Sequence, residues 1–179
     1  MKKVTVIMDA FEFTLIFRLP RHRDAQDAPD ASCHLDALFE AGCDDALIGL
    51  GRAGYMALNF SREAANAEAA VRSATANVMA AIPGADLVEA KPDLVGASEI
   101  AALTGCSRQN VRKHLVDKKN APPPVYSGGA TLWHLSDLVP WINKHTPLRI
   151  KGTVAETARV AFRANMDIQS RRLDKTDCV

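Results

Sequence analysis

No apolar run in this 179-residue sequence is long enough to cross a bilayer. The longest, such as Ala46–Leu50 and Thr14–Phe17, fall far short of the roughly 20 residues a spanning helix needs. A secretory pattern is missing as well. Met1-Lys2-Lys3 is basic, but Asp9 and Glu12 interrupt the apolar stretch that would have to follow. These absences predict a cytoplasmic protein with no membrane partner. The four cysteines, at positions 33, 43, 106 and 178, include no C-x-x-C pair, so reduced thiols are expected. Cys33-His34 and Cys43 match no zinc spacing, and no metal or other cofactor is implied. Cys106 stands where a small apolar residue is wanted and reads as core.

Catalytic signatures are also lacking. There is no phosphate-cradling Gly loop, no H-E-x-x-H and no nucleophile with a base nearby in sequence. The stretch Gly49-Leu50-Gly51-Arg52-Ala53-Gly54 is rich in glycine, but a second strand-like run follows it where a phosphate loop would have a helix. It reads as a hairpin turn. Asp44-Asp45 would point to opposite faces of a strand, which is no carboxylate pair. An enzyme is not expected. Internal repeats and low-complexity tracts are absent too.

What is present is an ordinary globular mixture, 47% apolar and 24% charged, with a net charge of +1. The charge is unevenly spread. Residues 1–92 carry nine Lys/Arg against thirteen Asp/Glu, and residues 93–179 carry thirteen against eight. Opposite signs in the two halves fit a chain of which one half meets phosphate.

In the first half, strand and helix signals alternate. Phe11–Leu19 is aromatic and β-branched and stops at Pro20, with a start as early as Val4 as an alternative in which Met8–Ala10 forms a bulge. Arg21–Asp30 is polar and reads as loop. Ser32 is placed to cap a short helix with Leu35, Leu38 and Phe39 on its apolar face, ended by Gly42. Ala46–Gly51 and Tyr55–Phe60 form a hairpin across Arg52-Ala53-Gly54. From Asn66 to Ile82, the residues Ala70, Val71, Ala74, Val78 and Ile82 recur at helical spacing, and Pro83-Gly84 ends the run. Asp86–Ala90 is a last strand. The order β-α-β-β-α-β predicts an α+β, ferredoxin-like domain over residues 1–91. Lys91-Pro92-Asp93 marks a boundary, since the residue before proline is pushed away from helical geometry.

Residues 97–116 read ASEIAALTGCSRQNVRKHLV. Ser98 is placed to cap a first helix with Ile100, Ala101 and Leu103, and Ser107 to cap a second over Arg108–Leu115. A helix-turn-helix needs a small residue where the helices approach, and Ala101 supplies it. It needs left-handed backbone in the turn, and Gly105 supplies it. It needs buried anchors on the second helix, and Val111 and Leu115 supply them. Steps of 100° place Gln109, Arg112 and Lys113 opposite those anchors, with Arg108 and Asn110 on the flanks. These are the residue types that read base edges: Arg for guanine, Gln or Asn for adenine. Segment 107–120 holds five basic residues and one acid, with Lys118 and Lys119 beyond the helix in reach of phosphate only. His114, on the inner side, reads as a packed side chain.

Beyond Ala121-Pro122-Pro123-Pro124, two strand-like runs flank Ser127-Gly128-Gly129-Ala130 and predict a hairpin. Ser136 is placed to cap a further helix, Asp137–His145, with Leu138, Trp141 and Ile142 on its apolar face and Pro140 in its first turn.

This succession of helix, turn, helix, wing and helix resembles a winged helix-turn-helix of the excisionase and MerR-type class. The likeness is carried by SEIAALTGCSRQNVRKHL, the Gly-Gly hairpin and WHLSDLVPW, and it covers residues 94–145, under a third of the chain. The resemblance implies duplex DNA contacts from Ser107, Arg108, Gln109, Arg112 and Lys113, with wing contacts at Ser127, Gly128, Gly129 and Thr131. The chain departs from MerR-type regulators in carrying the module after an α/β domain, so their metal and drug sensing does not carry over.

The expected organisation is therefore a ferredoxin-like domain at 1–91, a winged helix-turn-helix at 93–146, and a C-terminal helix and tail at 147–179. In the tail, Val154, Ala158, Ala161, Phe162 and Met166 form an apolar stripe among Arg159, Arg163, Arg171 and Arg172. That stripe suits either a dimer contact or packing onto its own chain. The expectation is a sequence-specific, homodimeric DNA-binding regulator whose N-terminal domain dimerises, senses a small ligand or grips a protein partner. Two alternatives stand beside it: an antitoxin or phage-defence component that regulates its own expression, and an excisionase-like recombination or architectural factor.

Overall fold

The computed structural model describes residues 8–20, 31–49, 52–115 and 120–176. The chain divides into two compact units, Met1–Ala90 with Arg163–Val179, and Lys91–Phe162.

The first unit is built on a four-stranded sheet of β1 (Asp9–Arg18), β2 (Ala46–Gly49), β3 (Tyr55–Ala64) and β4 (Asp86–Lys91), in the spatial order β2-β3-β1-β4. A 3-10 turn, Ala31–His34, leads into α1 (Leu35–Glu40), and α2 (Ala67–Ala81) joins β3 to β4. Alternation decides which side is buried. Phe11, Phe13, Leu15 and Phe17 of β1 face inward beside Met56, Leu58 and Phe60 of β3, with which β1 pairs antiparallel. Ala70, Val71, Ala74, Val78 and Ile82 are buried, as the helical spacing predicted. The Asn66 side chain caps α2 by accepting the Ala69 N–H at 2.8 Å.

Three expectations need correction here. β1 takes in Asp9 and Ala10 as regular strand, paired with Ala64 and Glu63, with no bulge; Val4 lies outside the described residues. β3 runs four residues past Phe60, because Arg62 and Ala64 continue its buried alternation. Ser32 is not the cap of α1: His34 holds that place without a side-chain bond, and Ser32 belongs to the preceding 3-10 turn. A six-residue helix turns little of itself inward. Leu38 is buried, but Leu35 is exposed and Phe39 is 69% exposed.

The buried side also holds a charge. Arg62 makes a two-pronged bond to Asp45, Nε to Oδ2 and NH2 to Oδ1, both at 2.8 Å. Its NH2 also donates to the Gly42 carbonyl at 2.7 Å and its NH1 to the Ser73 hydroxyl at 3.2 Å. Asn77 of α2 donates to the same carbonyl at 3.0 Å. Gly42 turns the chain with φ +84°, so this arginine ties α1, the turn, β3 and α2 together. The bond to Asp45 holds the Arg62 pKa above its ordinary value against the opposing effect of burial. Burial pushes the neighbouring Cys43 thiol up, and the Arg62 charge offsets part of that rise.

One edge of this sheet is closed by the last helix, α6 (Gly152–Thr176). The Asn165 amide bonds both the N–H and the carbonyl of Ala90, each at 2.8 Å, as a neighbouring strand would. Arg172 donates to the Val88 carbonyl at 3.4 Å.

The second unit contains β5 (Leu94–Val95), α3 (Ala97–Thr104), α4 (Arg108–Leu115), β6 (Tyr126–Ser127), β7 (Thr131–His134), α5 (Leu135–His145) and the start of α6. Its three short strands lie in the order β5-β7-β6. Ile100, Val111, Leu115, Trp133, Leu135, Leu138, Ile142, Ile150 and Ala158 form its core. The α6 stripe thus packs within its own chain through Ala158 and Ala161, whereas Met166 stays exposed. Among the described residues, no helix is long and apolar enough to cross a membrane.

Two predictions follow from the first unit. Asp45→Ala strands a largely buried guanidinium and should cost roughly 3 kcal/mol, the low end for breaking a buried pair. The exposed pair Arg18–Asp86 is the control, and Asp86→Ala should cost under about 1 kcal/mol in the same urea titration. Cys43 should resist thiol reagents until the protein unfolds, while exposed Cys33 reacts at once, as read by mass mapping. Because the folded Cys43 pKa is raised, this group's contribution to stability is intact below the unfolded pKa of about 8.5 and falls as pH rises through it.

Candidate nucleic-acid interface

The turn between α3 and α4 is made by Gly105, at φ +67° and ψ 22°, whose N–H donates to the Ala101 carbonyl. Any side chain there would be forced into left-handed backbone, although open space surrounds the position. Ala101 is buried at the approach of the two helices, as its small size suggested. Ser107 caps α4: its hydroxyl accepts the Asn110 N–H at 3.2 Å, and its carbonyl accepts the Val111 N–H at 3.1 Å.

The cap of α3 differs from expectation. Ser98 is an exposed residue within the first turn, and the capping place belongs to Gly96. Glu99, third in the helix, reaches back to accept the Gly96 N–H at 3.1 Å, which fixes the start two residues early. Ser98 instead accepts the Arg108 guanidinium at 3.5 Å.

With Val111 and Leu115 buried, the opposite side of α4 is open. Arg108, Gln109, Arg112 and Lys113 are exposed, Ser107 is exposed beside them, and Asn110 is half-buried. His114 is half-buried. Lys118 and Lys119 lie outside the described residues. The hairpin residues Ser127, Gly128, Gly129 and Thr131 are all exposed, with Gly128 N–H donating to the Ala130 carbonyl at 3.1 Å. Glycine at 128 leaves the space occupied by the Tyr126 ring. Trp133 on β7 shares the core with Val111 and Leu115, so the hairpin and α4 are fixed to one buried cluster.

The root of the hairpin was not legible beforehand. β5 pairs with β7, Leu94 opposite His134 and Val95 opposite Trp133. Buried Asp93 meets the His134 Nδ1 at 2.7 Å, its carbonyl accepts the Leu135 N–H at 2.8 Å, and the Trp133 indole donates to the Pro122 carbonyl at 3.2 Å. This arrangement starts α5 at Leu135 with His134 in the capping place, so Ser136 is not the cap. Pro140 accordingly falls in the second turn. Its ring removes one helix bond at an exposed position, where water can reach the freed carbonyl. Cys106 is half-buried against the core, with its sulfur 3.0 Å from the Thr104 hydroxyl.

Charge follows the division into units. Lys91–Phe162 carries ten Lys/Arg against five Asp/Glu, and the remainder of the chain twelve against sixteen. The exposed side of α4 contributes three of the ten cations and no acid.

Gly105→Ala should cost about 1–2 kcal/mol from backbone strain alone, since its new Cβ meets nothing. Thermal unfolding measures this. A loss below about 0.5 kcal/mol would mean that the turn relaxes out of the left-handed region.

Comparison with protein-family models, with curated proteins and with solved structures gives no match to this chain.

Proposed function

We propose that this chain is a non-enzymatic, sequence-specific DNA-binding regulator. Its second unit acts as a winged helix-turn-helix of the excisionase and MerR-type class, and the protein works as a homodimer on duplex DNA. The observation that carries this reading is the exposed side of α4, where Arg108, Gln109, Arg112 and Lys113 stand clear of a helix anchored by Val111 and Leu115. Arginine offers paired donors to the O6 and N7 of guanine, and glutamine matches the N6 and N7 of adenine. The hairpin Tyr126–His134 supplies the exposed hydroxyls of Ser127 and Thr131, chemistry suited to phosphate oxygens. The +5 charge of the unit supplies the sequence-independent attraction.

The first unit suits a ferredoxin-like reading, since its element order β-α-β-β-α-β and strand order β2-β3-β1-β4 are those of a split βαβ sheet. A single small DNA module buries too little DNA for tight recognition, which is the argument for two copies on half-sites about one helical turn apart.

The 179-residue chain, titrated against duplex by fluorescence anisotropy, should bind more weakly as salt rises, because phosphate contacts release counterions. Affinity independent of salt would refute the phosphate contacts. On a selected site, Gln109→Ala should cost roughly 1–3 kcal/mol and relax preference at one or two base pairs. Lys119→Ala should weaken all sequences alike and lower the salt slope by about one. The same uniform loss from both variants would show that α4 does not read bases.

A further inference from the structure

We infer that Tyr126 contacts the duplex, its hydroxyl donating to a phosphate oxygen, and that Gly128 is the seat that aims the ring there. This rests on the DNA-binding reading above and adds to it a residue that neither motif nor spacing singled out. In the hairpin, Tyr126 stands opposite Leu132 and Ser127 opposite Thr131. Side chains alternate along a strand, so Ser127 and Thr131 share one face of the hairpin. Tyr126 shares the other with Leu132 and with position 128. The ring lies along the chain toward the turn. A Cβ added at Gly128 would collide first with the Tyr126 hydroxyl oxygen, then with Cζ and Cε1 of the ring. Two residues of extended chain span about 7 Å, so the hydroxyl is carried roughly that far from its own backbone toward the hairpin tip.

Three features point to the hydroxyl as the working end of this side chain. The backbone at Gly128 is not left-handed, so the turn itself does not demand glycine there. Gly129 shares that freedom and has nothing within 4 Å of its Cβ position, which leaves the Tyr126 ring as what excludes a side chain at 128. The ring nevertheless stays 54% exposed, and residues 127–131 around it are exposed too, so the arrangement buries little. Among the described residues, the hydroxyl has no hydrogen-bond partner, and its donor is left for an acceptor from outside. The strands that carry it are held at their root, where the Val125 N–H donates to the Leu132 carbonyl at 2.8 Å and Trp133 enters the core. A tyrosine so placed rests its apolar ring on the hairpin and keeps its polar end in water. One neutral donor on a flat ring cannot match the paired pattern of a base edge, but it suits a phosphate oxygen. The contact therefore adds affinity without sequence preference, and without the counterion release that a lysine would bring.

The test is an anisotropy titration of the 179-residue chain on a selected duplex and its single-base variants, at several salt concentrations. Tyr126→Phe keeps the ring on Gly128 and removes only the hydroxyl, so the melting temperature should not move. Binding should weaken roughly tenfold on every sequence, the size of one hydrogen bond to a charged group, with the salt slope unchanged. Gly128→Ala should displace the ring and cause a similar loss. In the Tyr126→Phe background it should cost nothing further, because both changes remove the same contact. Wild-type affinity in Tyr126→Phe overturns the inference. So does a loss confined to particular base pairs, a lowered salt slope, or losses from the two variants that add. Gln109→Ala, measured alongside, separates the two levels of the reading. If Gln109→Ala relaxes base preference while Tyr126→Phe binds as wild type does, the tyrosine contact alone fails. A wild type that binds no duplex refutes the DNA reading and this contact with it.

Discussion

An isolated helix of eight residues is unstable in water, and α4 is eight residues long. Its shape depends on the burial of Val111 and Leu115 in the cluster that also holds Ile100, Trp133, Leu135 and Ile142. Everything that the second unit presents to solvent follows from that anchoring. With two residues fixed inward, the 100° step turns Gln109 and Lys113 outward, and Arg108 at the helix start and Arg112 on the flank are exposed beside them. Gly105 sets the angle at which the helix leaves α3, and Ser107 satisfies a backbone N–H that would otherwise lack a partner at its start. The hairpin is tied to the same cluster through Trp133, so it and α4 have a common foundation.

The first unit solves a different problem, that of holding a short helix against a sheet. Alone, α1 contributes one buried side chain, Leu38, worth about 1.5–3 kcal/mol on burial, too little to fix a six-residue segment. Arg62 adds what apolar burial cannot. Its bonds to Asp45, Gly42 and Ser73 locate the turn after α1 in both direction and distance. A hydrophobic substitute could match the burial but would not specify that geometry.

Much of this was legible from sequence, and what was missed has a physical reason. Gly105, Ala101, Val111 and Leu115 could be assigned because two short helices joined by a tight turn constrain size and backbone at each position, and residue type reports both. α2 could be read from the spacing of Ala70, Val71, Ala74, Val78 and Ile82 for the same cause. Helix starts were harder. Serine is a strong cap by itself, so Ser98, Ser136 and Ser32 drew attention, but other groups decided each case. Glu99 reached back to Gly96, the Asp93 carbonyl took the first N–H of α5, and a 3-10 turn preceded α1. The pattern Gly96-x-x-Glu99 was a signal that could have been used. β5 offered none: two residues have no period, and the bond between Asp93 and His134 spans 41 positions.

The separation of charge bears on specificity in any DNA-binding reading. The chain as a whole is nearly neutral, although Lys91–Phe162 is strongly basic and the rest acidic. A uniformly basic protein of this size would bind any duplex through counterion release alone. On the proposed reading, the acidic unit would contribute repulsion toward phosphate that does not depend on sequence, lowering non-specific and specific affinity together. What would then favour one site over another, on the same reading, is hydrogen bonding of Arg108, Gln109 and Arg112 to base edges, which charge balance does not diminish. Pairing two acidic units would strengthen that repulsion.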